Sequence, residues 1–315
     1  MNVIPQIKPK RLCQGDTIGV IAPASPGNLE LFRAGVHWLE EQGFQVEFGK
    51  TVEQTRGYLA GTDADRAMDI NAMFASATID GIFCLRGGYG TMRLLDLLDY
   101  DLIRTHPKVF VGYSDITALH LAIGQRAGLV TFHGPMVASD MGKGLSDYTW
   151  EYFYRAITSS KPLGGIRNPK HTVYPEFMVP GEAEGHLIGG NLSLIVSTLG
   201  TPYEIDTRGK ILCLEEIGEE PYRIDRMLTQ LSLARKLQEA AGIVIAVCAD
   251  CNQDDPPNFT LEEVLRERLA NLDKPVLYNL HFGHTTEKAT LPLGVMARLD
   301  PKVGGLEIIE AATTE

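Results

Sequence analysis

Over its first 140 residues the chain alternates short apolar runs with segments of helical period. That alternation commits it to a parallel sheet with helical crossovers on both faces. The apolar runs are Thr17–Ala22, Phe44–Phe48, Ile79–Leu85 and Val109–Gly112. Between the first two, Asn28 is placed to cap a helix whose apolar face is Leu29, Phe32, Val36 and Leu39, at spacings of three and four. Residues 63–76, 91–98 and 115 to about 127 supply the following helices. Between residues 159 and 185 the texture changes, with proline at 162, 169, 175 and 180 and glycine at 164, 165, 181 and 185. This reads as a linker. Short strands then resume at 210–214, 242–248 and 275–278, with helices at 191–199, 221–235 and 260–270 and a strand-like tail from 294 to 309. A length of 315 residues exceeds what one core usually supports. The expected organisation is an α/β domain over 1–150, a linker over 151–185, and a smaller C-terminal α/β domain over 186–315.

Charge narrows the partners. With 29 basic against 40 acidic side chains the net charge is −11, which argues against nucleic acid, whose phosphates need clustered Lys and Arg. The longest apolar stretch, Gly242–Ala249, is far short of the ~20 residues that span a bilayer. The first sixteen residues lack the apolar region of a secretory signal. The five cysteines are odd in number and follow no disulfide framework. A cytoplasmic protein with no membrane partner is the expectation.

The junction Gly112-Tyr-Ser-Asp-Ile carries the most chemistry. A buried strand enters a helix within two residues, and such an elbow lifts Ser114 clear of the sheet while turning the first helical N–H groups toward a ligand. Acyl transfer needs both a nucleophile and oxyanion donors. The same serine could simply cap the helix, and Ile116 breaks the G-x-S-x-G pattern of the α/β-hydrolases. A serine nucleophile needs a histidine held by a carboxylate. His284, in a loop after the strand at 275–278, is one choice; His281 and His133 are rivals, and His37 lies in a helix. For the acid, Glu215 ends a strand, its neighbour Glu216 would face the other way, and Glu219 and Glu220 suit a solvated loop.

Two further patterns compete for a role. Arg86-Gly87-Gly88-Tyr89-Gly90 follows a strand, and its glycines let backbone N–H groups approach a ligand closely. It could cradle the phosphate of a nucleotide, although its spacing is not G-x-G-x-x-G, or it could supply oxyanion donors. Cys248-Ala-Asp-Cys251 and His281-Phe-Gly-His284 could in principle combine as four zinc ligands, but a single C-x-x-C is weak support, and no metal or other cofactor is expected. As a redox motif the pair lacks a following helix start, since Asp254-Asp-Pro-Pro comes next.

Taken together, Leu85-Arg-Gly-Gly-Tyr-Gly, Gly112-Tyr-Ser-Asp, Gly189-Gly-Asn, Leu214-Glu-Glu with Pro221-Tyr-Arg-Ile-Asp-Arg-Met, and Phe282-Gly-His with Leu291-Pro-Leu-Gly resemble the LD-carboxypeptidase family of serine peptidases. The resemblance runs from Ala22-Pro-Ala-Ser to Gly294 and implies a flavodoxin-like N-terminal domain. It assigns Ser114 as nucleophile, Glu215 as triad acid, His284 as base, and the N–H groups of Gly88 and Asp115 as oxyanion donors. Arg86 is the candidate for the substrate carboxylate. The implied activity is release of the terminal D-alanine from murein tetrapeptide, a small peptide substrate, by a homodimer. The microcin-immunity branch, which hydrolyses peptidyl- or aminoacyl-nucleotides by stacking the base on aromatic side chains, is the alternative. With Trp38 and Trp150 the only tryptophans, the sequence favours the murein branch.

Overall fold

The computed structural model describes residues 4–251 and 258–315. Its chain forms two compact units. The first contains the residues up to Pro162 together with Thr290–Gly294 and Ala311–Glu315, and the second contains Leu163–Ala289 and Val295–Glu310.

In the first unit the elements run β1 (Thr17–Ile21), α1 (Leu29–Glu41), β2 (Gln45–Phe48), α2 (Asp63–Ala75), β3 (Gly81–Cys84), α3 (Tyr100–Thr105), β4 (Val109–Gly112), α4 (Thr117–Arg126), β5 (Thr131–His133) and α5 (Asp147–Thr158). Asn28 caps α1 as expected, its side-chain oxygen accepting from the amides of Glu30 and Leu31 at 2.8 and 3.1 Å. The five strands pair in parallel in the order β5-β4-β3-β1-β2, the flavodoxin-like order, which puts the ligand crevice at the carboxyl ends of β1 and β3. Phe83, Phe110 and Phe132 are fully buried on these strands. The segment expected as a helix over 91–98 is a 3-10 helix, Thr91–Leu97.

The second unit contains β6 (Gly164–Gly165), β7 (Glu176–Val179), β8 (Ala183–Asn191), α6 (Leu192–Ser197), β9 (Ile211–Glu215), α7 (Pro221–Leu233), α8 (Lys236–Glu239), β10 (Gly242–Ala246), α9 (Leu261–Leu269) and β11 (Val276–Leu280). β12 (Leu291–Leu293) returns to the first sheet and pairs antiparallel with β5. β13 (Met296–Asp300) and β14 (Gly305–Ile308) complete the second. That sheet, among the described residues, has the order β6-β14-β13-β8-β9-β10-β11-β7 and is parallel through β8, β9, β10 and β11. The proline- and glycine-rich stretch therefore contains strands as well as connections. Its two short strands, β6 and β7, lie at the outer edges, and its prolines at 162, 169, 175 and 180 fall in the connections outside them. No helix among the described residues is long and apolar enough to cross a membrane.

Candidate active site

β4 delivers Ser114. Four fully buried residues end at Gly112, Tyr113 is extended, and Ser114 takes a left-handed φ of +66° before the chain enters the 3-10 turn Ser114–Ile116 and then α4. A non-glycine residue pays ~1–2 kcal/mol for that conformation. Gly112 makes room for the turn: a Cβ there would lie 2.8 Å from Ile116 Cγ2. Neither the 3-10 turn nor α4 takes a side-chain cap, so the serine does not serve as an N-cap.

The glycine-rich turn lies directly against this elbow. A Cβ on Gly87 would stand 2.8 Å from Ser114 Cβ and 3.0 Å from its Oγ, so no larger residue fits. Gly88 has φ +114° and is exposed, while the Tyr89 amide donates to Ser25 Oγ at 3.2 Å. A Cβ at Gly88 would meet the same Ser25 oxygen at 2.4 Å. Arg86 is exposed, with one long bond at 3.4 Å to the carbonyl of Pro26. Beneath the turn, Arg66 is fully buried and donates to the carbonyls of Gly90, at 3.1 Å, and of Pro23. Its other amino group pairs with Asp63 at 2.6 Å, and Asp63 in turn holds Arg93 at 2.8 Å. These hydrogen bonds hold the carboxylate of Asp63 below its usual range.

The expected acid and base meet within the second unit. Glu215, at the end of β9, has a fully buried side chain, and its Oε2 lies 2.6 Å from His284 Nδ1. A carboxylate only accepts, so Nδ1 carries the proton and Nε2 keeps the lone pair that a base requires. Gly283 makes this approach possible: it has φ +77°, and a Cβ there would fall 2.6 Å from Glu215 Oε2. Glu216 faces the other way, as strand alternation requires. Its Oε1 accepts from Asn191 Nδ2 at 2.9 Å, and its Oε2 from the amide and hydroxyl of Ser193 at 2.9 and 2.7 Å. Burial pushes its carboxyl up in pKa, and those hydrogen bonds oppose the shift. Glu216 thus fixes the start of α6.

The rival histidines are engaged elsewhere. His281 turns Nδ1 toward the carbonyl of Glu287 at 3.2 Å, and burial lowers its pKa. His133 is buried in β5 between the rings of Tyr113 and His120, at 5.9 and 6.2 Å. His120, which sequence reasoning passed over, is buried beneath the elbow. It bridges the carbonyl of Gly112 at 2.8 Å and Thr131 Oγ1 at 2.9 Å, and burial drives its pKa down to about 3. His37 is exposed and pairs with Glu41. Cys248 and Cys251 are free thiols whose Sγ atoms donate to the carbonyls of Ala246 at 3.7 Å and Ala249 at 3.2 Å. The influence of each thiol on the other raises the pKa of Cys248 and lowers that of Cys251. Among the described residues, no three His, Cys, Asp or Glu side chains are grouped to hold a metal. The Asp254–Pro257 segment that bears on the redox reading of this pair lies outside the described residues.

Known proteins resemble both parts of the chain. Residues 18–134 match the LD-carboxypeptidase N-terminal domain and residues 184–299 the LD-carboxypeptidase C-terminal domain. The chain is 43% identical over 314 residues to the probable murein peptide carboxypeptidase of Bacillus subtilis (strain 168), covering 98% of this chain and 96% of that one. A muramoyltetrapeptide carboxypeptidase from Oxalobacter formigenes superposes with a TM-score of 0.84 at 32% identity, over 95% of this chain and all of the other. MccF in complex with glutamyl sulfamoyl guanosine superposes with a TM-score of 0.89 at 29% identity, over 98% of this chain and 99% of that one.

Proposed function

Because the chain belongs to the LD-carboxypeptidase family and is a serine carboxypeptidase, we propose that Ser114, Glu215 and His284 form its triad and that its substrate is murein tetrapeptide. The observation that carries this reading is the 2.6 Å bond from His284 Nδ1 to a fully buried Glu215, which leaves Nε2 as the base. The strained serine elbow supports it from the nucleophile side.

In the proposed reaction, Ser114 Oγ attacks the carbonyl of the L-centre that precedes the terminal D-alanine, and its proton passes to His284 Nε2. Glu215 stabilises the imidazolium and keeps the ring in the productive tautomer. The N–H groups of Gly88 and Asp115 bind the tetrahedral oxyanion, each donor contributing ~3–4 kcal/mol to the transition state. Collapse breaks the C–N bond, and His284 gives its proton to the departing D-alanine amine. Water, activated by the same imidazole, then hydrolyses the acyl-enzyme. Arg86, exposed beside the turn, is proposed to receive the terminal carboxylate. The reading places a homodimer in the cytoplasm, acting on wall fragments after their return.

The resemblance to MccF bound to an aminoacyl-sulfamoyl nucleotide gives the competing substrate class a specific basis. Incubation with murein tetrapeptide, and in parallel with glutamyl sulfamoyl guanosine, decides between them. Stoichiometric release of D-alanine, with turnover of the nucleotide at least tenfold slower, is the expected result. The reverse preference would assign the chain to the immunity branch. Sedimentation tests the dimer.

A further inference from the structure

Asp115 follows the proposed nucleophile within the 3-10 turn, yet its side chain does not cap α4. The carboxylate is buried, and it reaches back 24 residues to accept the Thr91 amide at 2.9 Å. In return Thr91 Oγ1, also buried, donates to the backbone carbonyl of Asp115 at 2.5 Å. One residue of the elbow is therefore held at both its side chain and its main chain by one end of the glycine-rich turn. At the other end of that turn Gly87 presses on Ser114. Arg66 lies beneath, bonded to the Gly90 carbonyl. Burial raises the pKa of the Asp115 carboxyl, and the hydrogen bonds from Thr91 and the charge of Arg66 oppose that rise.

An interior carboxylate is costly unless hydrogen bonds and a counter-charge compensate it. A helix start needs no such arrangement, since a serine or threonine would cap it as well. The bonds instead join the two loops that bear the proposed oxyanion donors, Gly88 on the turn and the Asp115 amide on the elbow.

We propose that Asp115 is a positioning residue, whose carboxylate fastens the glycine-rich turn to the nucleophile elbow and so sets the spacing of the two oxyanion donors. The proposal rests on the triad reading above and deepens it. Its consequence is selective: loosening this fastening weakens binding of the tetrahedral oxyanion and leaves ground-state peptide binding intact.

Three variants test it, with the full chain and murein tetrapeptide as substrate. Asp115→Asn keeps the shape but replaces one acceptor with a donor, and a donor misplaced by about 1 Å is expected to lower kcat by ~10–100-fold while KM moves less than threefold. A tripeptide whose L-centre ends in an aldehyde forms a tetrahedral adduct with Ser114, so its affinity should fall by the same factor. The tripeptide carboxylate product should bind as before. Thr91→Val, which removes only the hydroxyl bond to the Asp115 carbonyl, reads the same fastening through a smaller loss of ~3–10-fold in kcat, and stands in should Asp115→Asn not fold. Unchanged kcat and unchanged aldehyde affinity in a folded variant overturn the proposal, as does a loss confined to thermal stability. Ser114→Ala, run alongside, separates the two levels. If it is active the triad reading fails, whereas an inactive Ser114→Ala beside a fully active Asp115→Asn removes the role of Asp115 alone.

Discussion

Gly283 stands over the carboxylate of Glu215 so closely that a methyl group there would lie 2.6 Å from Oε2 and 2.7 Å from Cδ. The residue preceding the proposed base is thus shaped by the acid that orients that base. A Gly283→Ala substitution must move the carboxylate or the loop, and it also forces alanine into a φ of +77°. The expected cost is ~1–2 kcal/mol of stability and a ~10–100-fold drop in kcat. Urea denaturation and D-alanine release together check it; full activity would mean that the Glu215–His284 bond tolerates displacement.

Glu215→Gln preserves volume but lets an amide face His284 Nδ1, where it can donate as well as accept. Loss of the enforced tautomer should lower kcat by ~10⁴-fold, with KM little changed. Rates within tenfold of the parent would remove Glu215 from the triad.

Ser114 offers a separation of stability from activity. Glycine adopts a φ of +66° without the Cβ clash, so Ser114→Gly should gain ~1 kcal/mol and raise Tm by ~2–4 °C while abolishing turnover. Ser114→Ala should be equally inactive without the gain. Calorimetry on the pair is decisive, because equal Tm values would show that the elbow is unstrained.

His120 predicts an acid limb in stability. Its pKa is depressed to about 3 by burial, whereas in the unfolded chain it titrates near the ordinary histidine value. The unfolded state therefore binds the extra proton first. The contribution of neutral His120 is complete above pH ~6.5 and is lost progressively as pH falls toward 3. Between pH 7.5 and pH 4.5 this one group should remove ~2–3 kcal/mol. His120→Gln, which can still donate to the Gly112 carbonyl, should lower stability at neutral pH and flatten that limb. Parallel loss in both proteins over this range would assign the acid sensitivity to other groups.

The sequence exposed those parts of the site that are local. A buried apolar run ending in Gly-Tyr-Ser-Asp reads as a strand entering a helix, and strand alternation separates Glu215 from Glu216 without any tertiary information. The choice of His284 over His281 and His133 needed the family resemblance, because all three follow strands. Only the fold shows that His133 is buried against His120 and that His281 turns toward a backbone carbonyl. The supports beneath the glycine turn were hidden for another reason. Arg66, Asp63 and Thr91 look like ordinary polar residues in Asp-Ala-Asp-Arg and Gly-Thr-Met-Arg, and their significance comes from partners 20 to 50 positions away. Likewise Leu291–Leu293 lies just before the strand-like tail read at 294–309, and nothing local marks it as a strand of the other sheet.

That strand also sets an order of events during synthesis. β5 is complete once His133 has been made, but its edge partner follows about 160 positions later. Thr314, which accepts the amide of Arg11, comes later still. At ~5–20 residues per second the nascent first sheet waits for about 8–30 s with β5 as an open edge. The sheet that bears the nucleophile therefore receives its last edge strand only after translation has passed the residues that bear the acid and the base.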